Sequence, residues 1–421
     1  MSQKITLNNL WQETSVEAIF LDGLKEEITT DLVIIGGGYT GCSAALTAAK
    51  NGLSTTLIDH KVGYGGSGRN VGLVNAGLWM PPEKVEDLIG VNAGSKLNEA
   101  LASAPDLVFD TIKQYDIKCH SNRMGTLHCA HSQKGLSDLQ LRFKQLSERG
   151  AELELLDKHQ TQQRIGSSNF FGSLYNKHAG TINPLGYCQG LARVAQSLGA
   201  NIYESTLATS IQPFNKGWLV RTPKGSIKAK MLLIATNAYQ TPIGGLSPSK
   251  YTSVKYFQVA TKALSSNEIQ TILPNGEGCW DTASVMSSFR LDNDNRLIIG
   301  GIGNLSHNAS KIHTSWAKRK IKALFPQLNN IPIEYSWHGR IAMTADHIPK
   351  ILKLGNNAYS VFGYSGRGIG PGTYFGKAIS ESLISGDESS LPINPISYYE
   401  ESFSSIKGGL IELGATASHL L

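Results

Sequence analysis

Three glycines, Gly36, Gly38 and Gly41, stand at the spacing G-x-G-x-x-G, and Asp59 follows 18 residues after the last of them. In a strand–turn–helix each glycine has its own task. The first permits a tight turn, the second lets backbone approach a pyrophosphate, and the third lets the helix pack closely on the strand. A helix opening near Thr40 turns its positive end and free N–H groups toward that pyrophosphate. An acid closing the next strand accepts hydrogen bonds from a ribose hydroxyl. The chemistry these residues can do is dinucleotide binding. Two further glycine clusters accompany them. Six glycines lie between 63 and 77, with Ser67, Arg69 and Asn70 among them. Such a segment can run its backbone beside a large flat ligand while Arg69 supplies fixed positive charge. Near the other end, Gly366, Gly368 and Gly370 enclose Arg367 and Ile369.

The elements that must position these residues are readable from local pattern. Residues 32–35 (Leu-Val-Ile-Ile) form a continuous apolar run, as a strand buried on both faces requires. Residues 41–51 are good helix formers, and Gly52 is placed to end that helix. Residues 54–58 predict a second strand ending at Asp59, which completes one βαβ-type unit. From 85 to 150 the pattern is mainly helical and amphipathic, followed by a helix over 186–198 and a strand at 201–204. Strands over 218–222 and 226–236 are joined by Pro223-Lys224-Gly225, a hairpin signal. Residues 254–344 are strand-rich, with a turn at Asp292-Asn293-Asp294 and a basic helix over 313–325. Residues 358–386 again read as strand, glycine loop and helix. A nucleotide-type turn at both ends with mixed sheet between them predicts a discontinuous nucleotide domain with a second domain inserted.

Composition narrows the classes. The chain has 421 residues, 41% of them hydrophobic, a formal charge of +6 and only 17% charged residues. No block of five or six like charges appears. The densest cluster, Lys318-Arg319-Lys320-Lys322, reads as a solvated helix face, so no nucleic-acid partner is expected. Five scattered cysteines without a CxxC pair fit a reduced compartment and argue against a disulfide framework. The stretch His128-Cys129-Ala130-His131 has no second cluster to complete a metal site, so no metal is expected. The first thirty residues are unlike a secretory signal, and no apolar run reaches the roughly 18 residues of a spanning helix. A cytoplasmic location is expected, with peripheral membrane contact left open.

Several blocks, in order, carry a more specific resemblance: "VIIGGGYTGCSAAL", "GGSGRNVGLVNAGLW", "GTLHCAH", "AGTINPLGYCQGLA", "LLIATNAY", "FRLDNDNRLIIGG", "WHGRIAMTADHIPKI" and "GYSGRGIGPGT". Over nearly its whole length the chain resembles the D-amino acid oxidase superfamily of FAD-dependent amine oxidases. The "GGSGRNVGLVNAGLW" and "AGTINPLGY" blocks are similar to bacterial L-pipecolate oxidases. The "FRLDNDNRLIIGG" and "WHGRIAMTADHIP" blocks are shared with γ-glutamylputrescine oxidases. The resemblance implies an α/β fold of the glutathione-reductase/D-amino acid oxidase type, an FAD-binding Rossmann-type domain with an inserted mixed-sheet substrate domain. The FAD-binding parts are expected at 1–85, 151–250 and 341–421, and the substrate parts at 86–150 (helical) and 251–340 (mixed sheet).

At named residues, the resemblance implies that Gly36, Gly38, Tyr39, Thr40 and Gly41 hold the FAD pyrophosphate and Asp59 the adenosine ribose. Ser67, Gly68, Arg69 and Asn70 would lie by the flavin ring, and the backbone of Leu207 by the adenine. Ala235-Thr236-Asn237 resembles an Ala-Thr-Gly strand end, with Asn replacing Gly. Gly366, Arg367, Gly368, Ile369 and Gly370 would bring N–H groups to the flavin pyrimidine edge, where such donors stabilise the reduced ring. Some members attach FAD through a cysteine just before this loop. None stands there, which implies non-covalent FAD. For the substrate, Tyr256 and Arg290 sit on strands expected to floor the pocket. Arg340 is offset by one residue from a family position that anchors carboxylates, which on a strand turns it to the other face. Ile298 stands where sarcosine oxidases carry a flavin-facing lysine, leaving oxygen or a quinone-linked acceptor open. The implied chemistry is hydride transfer from the carbon bearing a neutral amine to flavin N5, giving an imine, with no obligatory protein base. The alternatives are a γ-glutamylputrescine or other primary-amine oxidase, an NAD(P)-dependent flavin reductase, and a flavin-binding subunit without turnover.

Overall fold

A computed structural model describes residues 9–247, 249–306 and 309–421. Two eight-stranded sheets organise the chain. At the centre of the first lies strand Glu27–Ile35, flanked in parallel by Thr55–Ile58 and by Ser226–Ile234. Ile35 is in register with both Ile58 and Ile234, so three strands end together and release Gly36, Asp59 and Ala235 at one edge. Ligands of open parallel sheets bind at such carboxyl ends. Asn201–Tyr203 extends the sheet on one side, and Ala358–Phe362 with Lys350–Gly355 on the other. The hairpin of Gly217–Arg221 with Ser226–Ile234 forms as its turn residues imply. Helix Tyr39–Lys50 is buried at every position but its last, and helix Ile369–Ser385 packs on it with Gly376 against the Thr40 carbonyl.

The second sheet runs Ile333–Met343, Thr252–Ala263, Arg296–Ile302, Ser288–Leu291, Gly278–Asp281, Thr126–Cys129, Ser173–Asn176, Leu153–Leu156. All neighbours are antiparallel except Gly278–Asp281 with Thr126–Cys129. Helix Ser310–Leu324 covers one face, closing a core with Phe257, Phe289 and Phe325.

Three placements differ from the sequence expectation. Strands Leu153–Leu156 and Ser173–Asn176 pair into the second sheet, so the strands do not return to the first sheet at residue 151. The chain rejoins it through helix Pro184–Ser197, which packs on Tyr39–Lys50. Strand Ile333–Met343 runs past residue 340 on the second sheet. Helix Ser404–Ser418 also docks there, Gly408 lying so close that a Cβ would stand 2.6 Å from the Ser253 carbonyl oxygen. The reason is common to all three. A strand or an outer helix carries no local mark of which sheet it joins; side-chain packing against its neighbours decides that.

Candidate active site

The glycine turn packs as its spacing predicts, and tightly. Gly36 has φ +116°, and a Cβ there would meet Ala235 at 2.8 Å. At Gly38 it would meet Ser67 Oγ at 2.9 Å, and at Gly41 the Gly36 carbonyl oxygen at 1.8 Å. Helix Tyr39–Lys50 begins at Gly38, which has no side chain to cap it; Tyr39 N donates to Ser67 Oγ (3.1 Å), and the helix N-terminus carries the positive end of its dipole to this edge. The Asp59 carboxylate accepts from Gly37 N and His60 N, both at 2.5 Å. Burial pushes its pKa up, against the opposing pull of those N–H groups. Leu207 lies beside this acid: Ser205 N and Thr206 N donate to the carbonyls of His60 and Asp59.

Every carbonyl oxygen of segment 66–70 accepts from a side-chain donor. Gly66 O accepts from Asn70 Nδ2 (2.8 Å), Ser67 O from Tyr39 OH (2.7 Å), and Gly68 O from Asn9 Nδ2 (2.8 Å). Arg69 O accepts from Trp337 Nε1 (3.0 Å) and Gln258 Nε2 (3.3 Å), and Asn70 O from Trp11 Nε1 (2.9 Å). The second sheet, helix Tyr39–Lys50 and the N-terminal helix Leu10–Thr14 with its cap Asn9 therefore converge on five successive peptides. The Arg69 guanidinium lies 4.1 Å from the Tyr64 ring centre. Asn9, Trp11, Gln258 and Trp337 were not among the expected residues; no local pattern ties them to a loop dozens of residues away.

On the far side, Asn237 adopts φ +44°, a conformation glycine and asparagine tolerate best, which explains the Asn-for-Gly exchange after Thr236. Its Oδ1 accepts from Gly363 N at 3.0 Å, tying this strand end to the C-terminal loop. That loop turns through Gly363, Ser365 and Gly366, all at positive φ, and opens helix Ile369–Ser385 at Gly368, again without a side-chain cap. No atom lies within 4 Å of where a Gly368 Cβ would be, so a flat ligand can approach the backbone there.

Arg367 occupies an unusual position in this loop. It is only 8% exposed, its Nη1 donates to Ala76 O at 3.0 Å, and its guanidinium lies 5.1 and 5.0 Å from the ring centres of Trp79 and Trp280. No carboxylate pairs with it among the described residues, and burial pushes its pKa down to about 9. Arg142 donates to the carbonyls of Leu78, Trp79 and Met80, which fixes the Trp79 segment. His128 stacks on Trp280 at 4.7 Å, and burial, then the charges of Arg142 and Arg367, push its pKa down. Trp79 Nε1, Trp280 Nε1 and His128 Nδ1 are buried without partners.

The three expected substrate residues each have a partner within the protein. Arg290 Nη1 donates to Ile182 O (3.0 Å) and Gly72 O (3.2 Å), and its guanidinium covers Trp11. It tethers the second sheet to the backbone after Asn70. Tyr256 OH is engaged by Ser288 Oγ (2.8 Å) and Gly300 O (3.1 Å). Arg340 is exposed and stacks on Tyr239 at 4.7 Å, as a one-residue offset on a strand dictates. Ile298 is buried in a cluster with Trp11, Leu185 and Trp337. An Arg290→Met chain is expected to lose about 1–3 kcal/mol of stability from its two carbonyl contacts. Its KM should stay near the parent value; a large rise in KM without a drop in thermal midpoint would reassign Arg290 to the substrate.

Two helix N-termini, an acid at the strand end and a carbonyl-locked segment between them fit an extended dinucleotide carrying a flat ring. The pattern of the "FAD dependent oxidoreductase" family (DAO) matches residues 31–382. The chain belongs to this family, and its cofactor is FAD. Among its relatives, the γ-glutamylputrescine oxidoreductase of Escherichia coli K12 is 30% identical over 87% of this chain and 86% of its own length. A probable oxidoreductase of Haemophilus influenzae, OrdL, is 28% identical over 85% and 84%. Glycine oxidase from Geobacillus kaustophilus superposes with a TM-score of 0.72 at 19% identity, covering 88% of this chain and 98% of its own. L-Proline dehydrogenase from P. horikoshii superposes at 0.71 with 20% identity, covering 88% and 98%. These two show the shared fold.

Proposed function

We propose that this chain oxidises the CH–NH bond of an amine that carries a carboxylate, and that a cyclic secondary amino acid such as L-pipecolate is its substrate. The observation that carries this reading is Arg367. A guanidinium buried without a counter-charge is costly, and an anionic group of a bound ligand offsets that cost. Trp79 and Trp280 hold the guanidinium planar and exclude water, which strengthens its attraction for a carboxylate.

FAD, held non-covalently, supplies the acceptor for the hydride leaving the carbon beside the amine. The chain's own contribution is orientation. Segment 66–70 and the loop at 366–370 fix the two sides of the cofactor site, and Arg367 fixes one end of the substrate so that its C–H is presented in a single pose. No side chain is needed as a base, because the amine reacts in its neutral form. The electrons then pass to oxygen or to a quinone-linked acceptor. Gly36, Gly38, Tyr39, Thr40 and Gly41 serve the pyrophosphate, Asp59 the ribose and Leu207 the adenine end. Ser67, Gly68, Arg69, Asn70 and Thr236 border the cofactor site.

A second reading, oxidation of γ-glutamylputrescine or another primary amine, is favoured by the identity to the Escherichia coli relative. Its γ-glutamyl group also bears a carboxylate, but at the end of the molecule remote from the primary amine, so in this reading Arg367 holds the far end of an extended substrate. The purified yellow protein should be mixed without oxygen with L-pipecolate, γ-glutamylputrescine and piperidine, following the visible flavin band. Bleaching by L-pipecolate and little by piperidine is the expected result. Bleaching by γ-glutamylputrescine alone selects the second reading. A flavin that no amine reduces points to a subunit without turnover.

A further inference from the structure

Helix Ser404–Ser418 is held to the second sheet by its small residues and turns its large ones outward. Ile406, Leu410 and Leu413 follow one another at steps of four and three on one face of it, with Phe403 just before its start and Leu420 just past its end. Each is between 60% and 74% exposed. The inward face carries Gly408 and Ala415. An apolar stripe of this size on an outer helix is more than scattered surface leucines explain.

The neighbouring helix supplies the second observation. Helix Ser310–Leu324 contains Lys311, Lys318, Arg319, Lys320 and Lys322 and no acidic residue. Of these, Lys320 pairs with Asp281 at 3.0 Å, while Arg319 donates to the carbonyl of His419 at the end of the apolar helix. The two helices are joined there by His313 and His419, whose Nδ1 atoms are 2.8 Å apart, with Trp316 stacked on His419 at 4.1 Å. The apolar helix and the basic helix are thus packed against each other at this end.

We propose that these two helices dock the protein on an anionic lipid bilayer, with the leucine stripe entering the headgroup–acyl boundary and the basic helix facing the lipid phosphates. Shallow insertion of an apolar helix face combined with basic side chains is the physics of interfacial attachment, and each basic group near an anionic surface strengthens it. A second copy of the chain fits less well. A two-fold contact through the stripe would bring two basic helices to the same interface. No helix among the described residues is long and apolar enough to cross a membrane, so the attachment is peripheral.

The holoprotein should be co-sedimented with vesicles of phosphatidylcholine alone and of phosphatidylcholine with phosphatidylglycerol, beside a Leu410→Glu/Leu413→Glu variant and a Lys318→Glu/Lys322→Glu variant. Retained flavin absorbance reports that each variant is folded. The parent is expected to bind the anionic vesicles, and each variant to bind at least about tenfold less. Absence of binding by the parent, or binding unchanged in both variants, overturns the proposal. So does a parent that is dimeric by light scattering, ignores vesicles and becomes monomeric in the leucine variant; the surface would then join two copies. These outcomes do not depend on which amine is oxidised.

Discussion

A Gly41→Ala chain is expected to come out nearly colourless and markedly destabilised. Glycine to alanine inside a helix ordinarily helps by up to about 1 kcal/mol, so the sign here is decided by space. The new methyl carbon would stand 1.8 Å from the Gly36 carbonyl oxygen, and neither side can retreat. Gly36 is itself pressed on Ala235 at 2.8 Å in a φ +116° conformation. Helix Tyr39–Lys50 is pinned from behind, because a Cβ on Gly376 would already lie 2.3 Å from Thr40 O. Moving the helix would break the Tyr39 contacts to Ser67 and the Thr40–Tyr364 hydrogen bond, which shape the cofactor edge. Overpacking of this kind costs roughly 1–3 kcal/mol or more, and flavin content should fall at least about tenfold. Gly52→Ala is the control. Its φ is +79° but nothing lies within 4 Å of the new carbon, so it should lose about 1 kcal/mol and keep its flavin. Visible flavin absorbance relative to protein absorbance, and thermal midpoints with and without added FAD, separate the two. A Gly41→Ala protein with the parent's flavin content would sink the argument.

The contrast between what was legible in the sequence and what was not follows from range. The contacts of Gly41 with Gly36 O and of Asp59 with Gly37 N lie within one strand–helix–strand unit, so local spacing could foresee them, whereas the contact of Gly36 with Ala235 crosses the chain and could not be foreseen. Asn237 was legible as an exchange and became intelligible only through its φ of +44°. Arg290 was read as facing a pocket because its strand does. Its partners, Gly72 O and Ile182 O, lie 218 and 108 residues away, and periodicity reports a face without saying what covers it. The same limit hid the Trp79–Arg367–Trp280 stack, which three separate segments assemble. Arginines at 290, 340 and 367 look alike in sequence. Arg340 is exposed, whereas Arg290 and Arg367 are both buried without a carboxylate; Arg290 spends its Nη1 on two backbone carbonyls, and Arg367, between two indoles, on one.

Replacing Arg367 should change which substrates the enzyme distinguishes. In an Arg367→Met chain the thioether fills the slot between Trp79 and Trp280, so the holoprotein should fold and keep its flavin. A substrate carboxylate would then enter an apolar slot with no counter-charge. Truncating one partner of a buried, hydrogen-bonded charge pair costs about 2–5 kcal/mol, so kcat/KM for the carboxylated substrate should fall at least about 30-fold, chiefly through KM. Arg367→Lys keeps the charge but not the planar fork that stacks between indoles, and should fall in between. Piperidine, which lacks the carboxylate, should react about equally poorly with parent and variants. If Arg367 acted only through the electronics of the cofactor, both substrates would slow by the same factor. A ligand that cannot be oxidised gives an independent reading: cyclohexanecarboxylate should perturb the parent's flavin spectrum and protect it thermally, cyclohexanecarboxamide should not, and Arg367→Met should erase the difference. Equal responses to acid and amide in the parent would remove Arg367 from the substrate site while leaving the oxidoreductase assignment intact, because that assignment rests on the nucleotide edge and on the family to which the chain belongs.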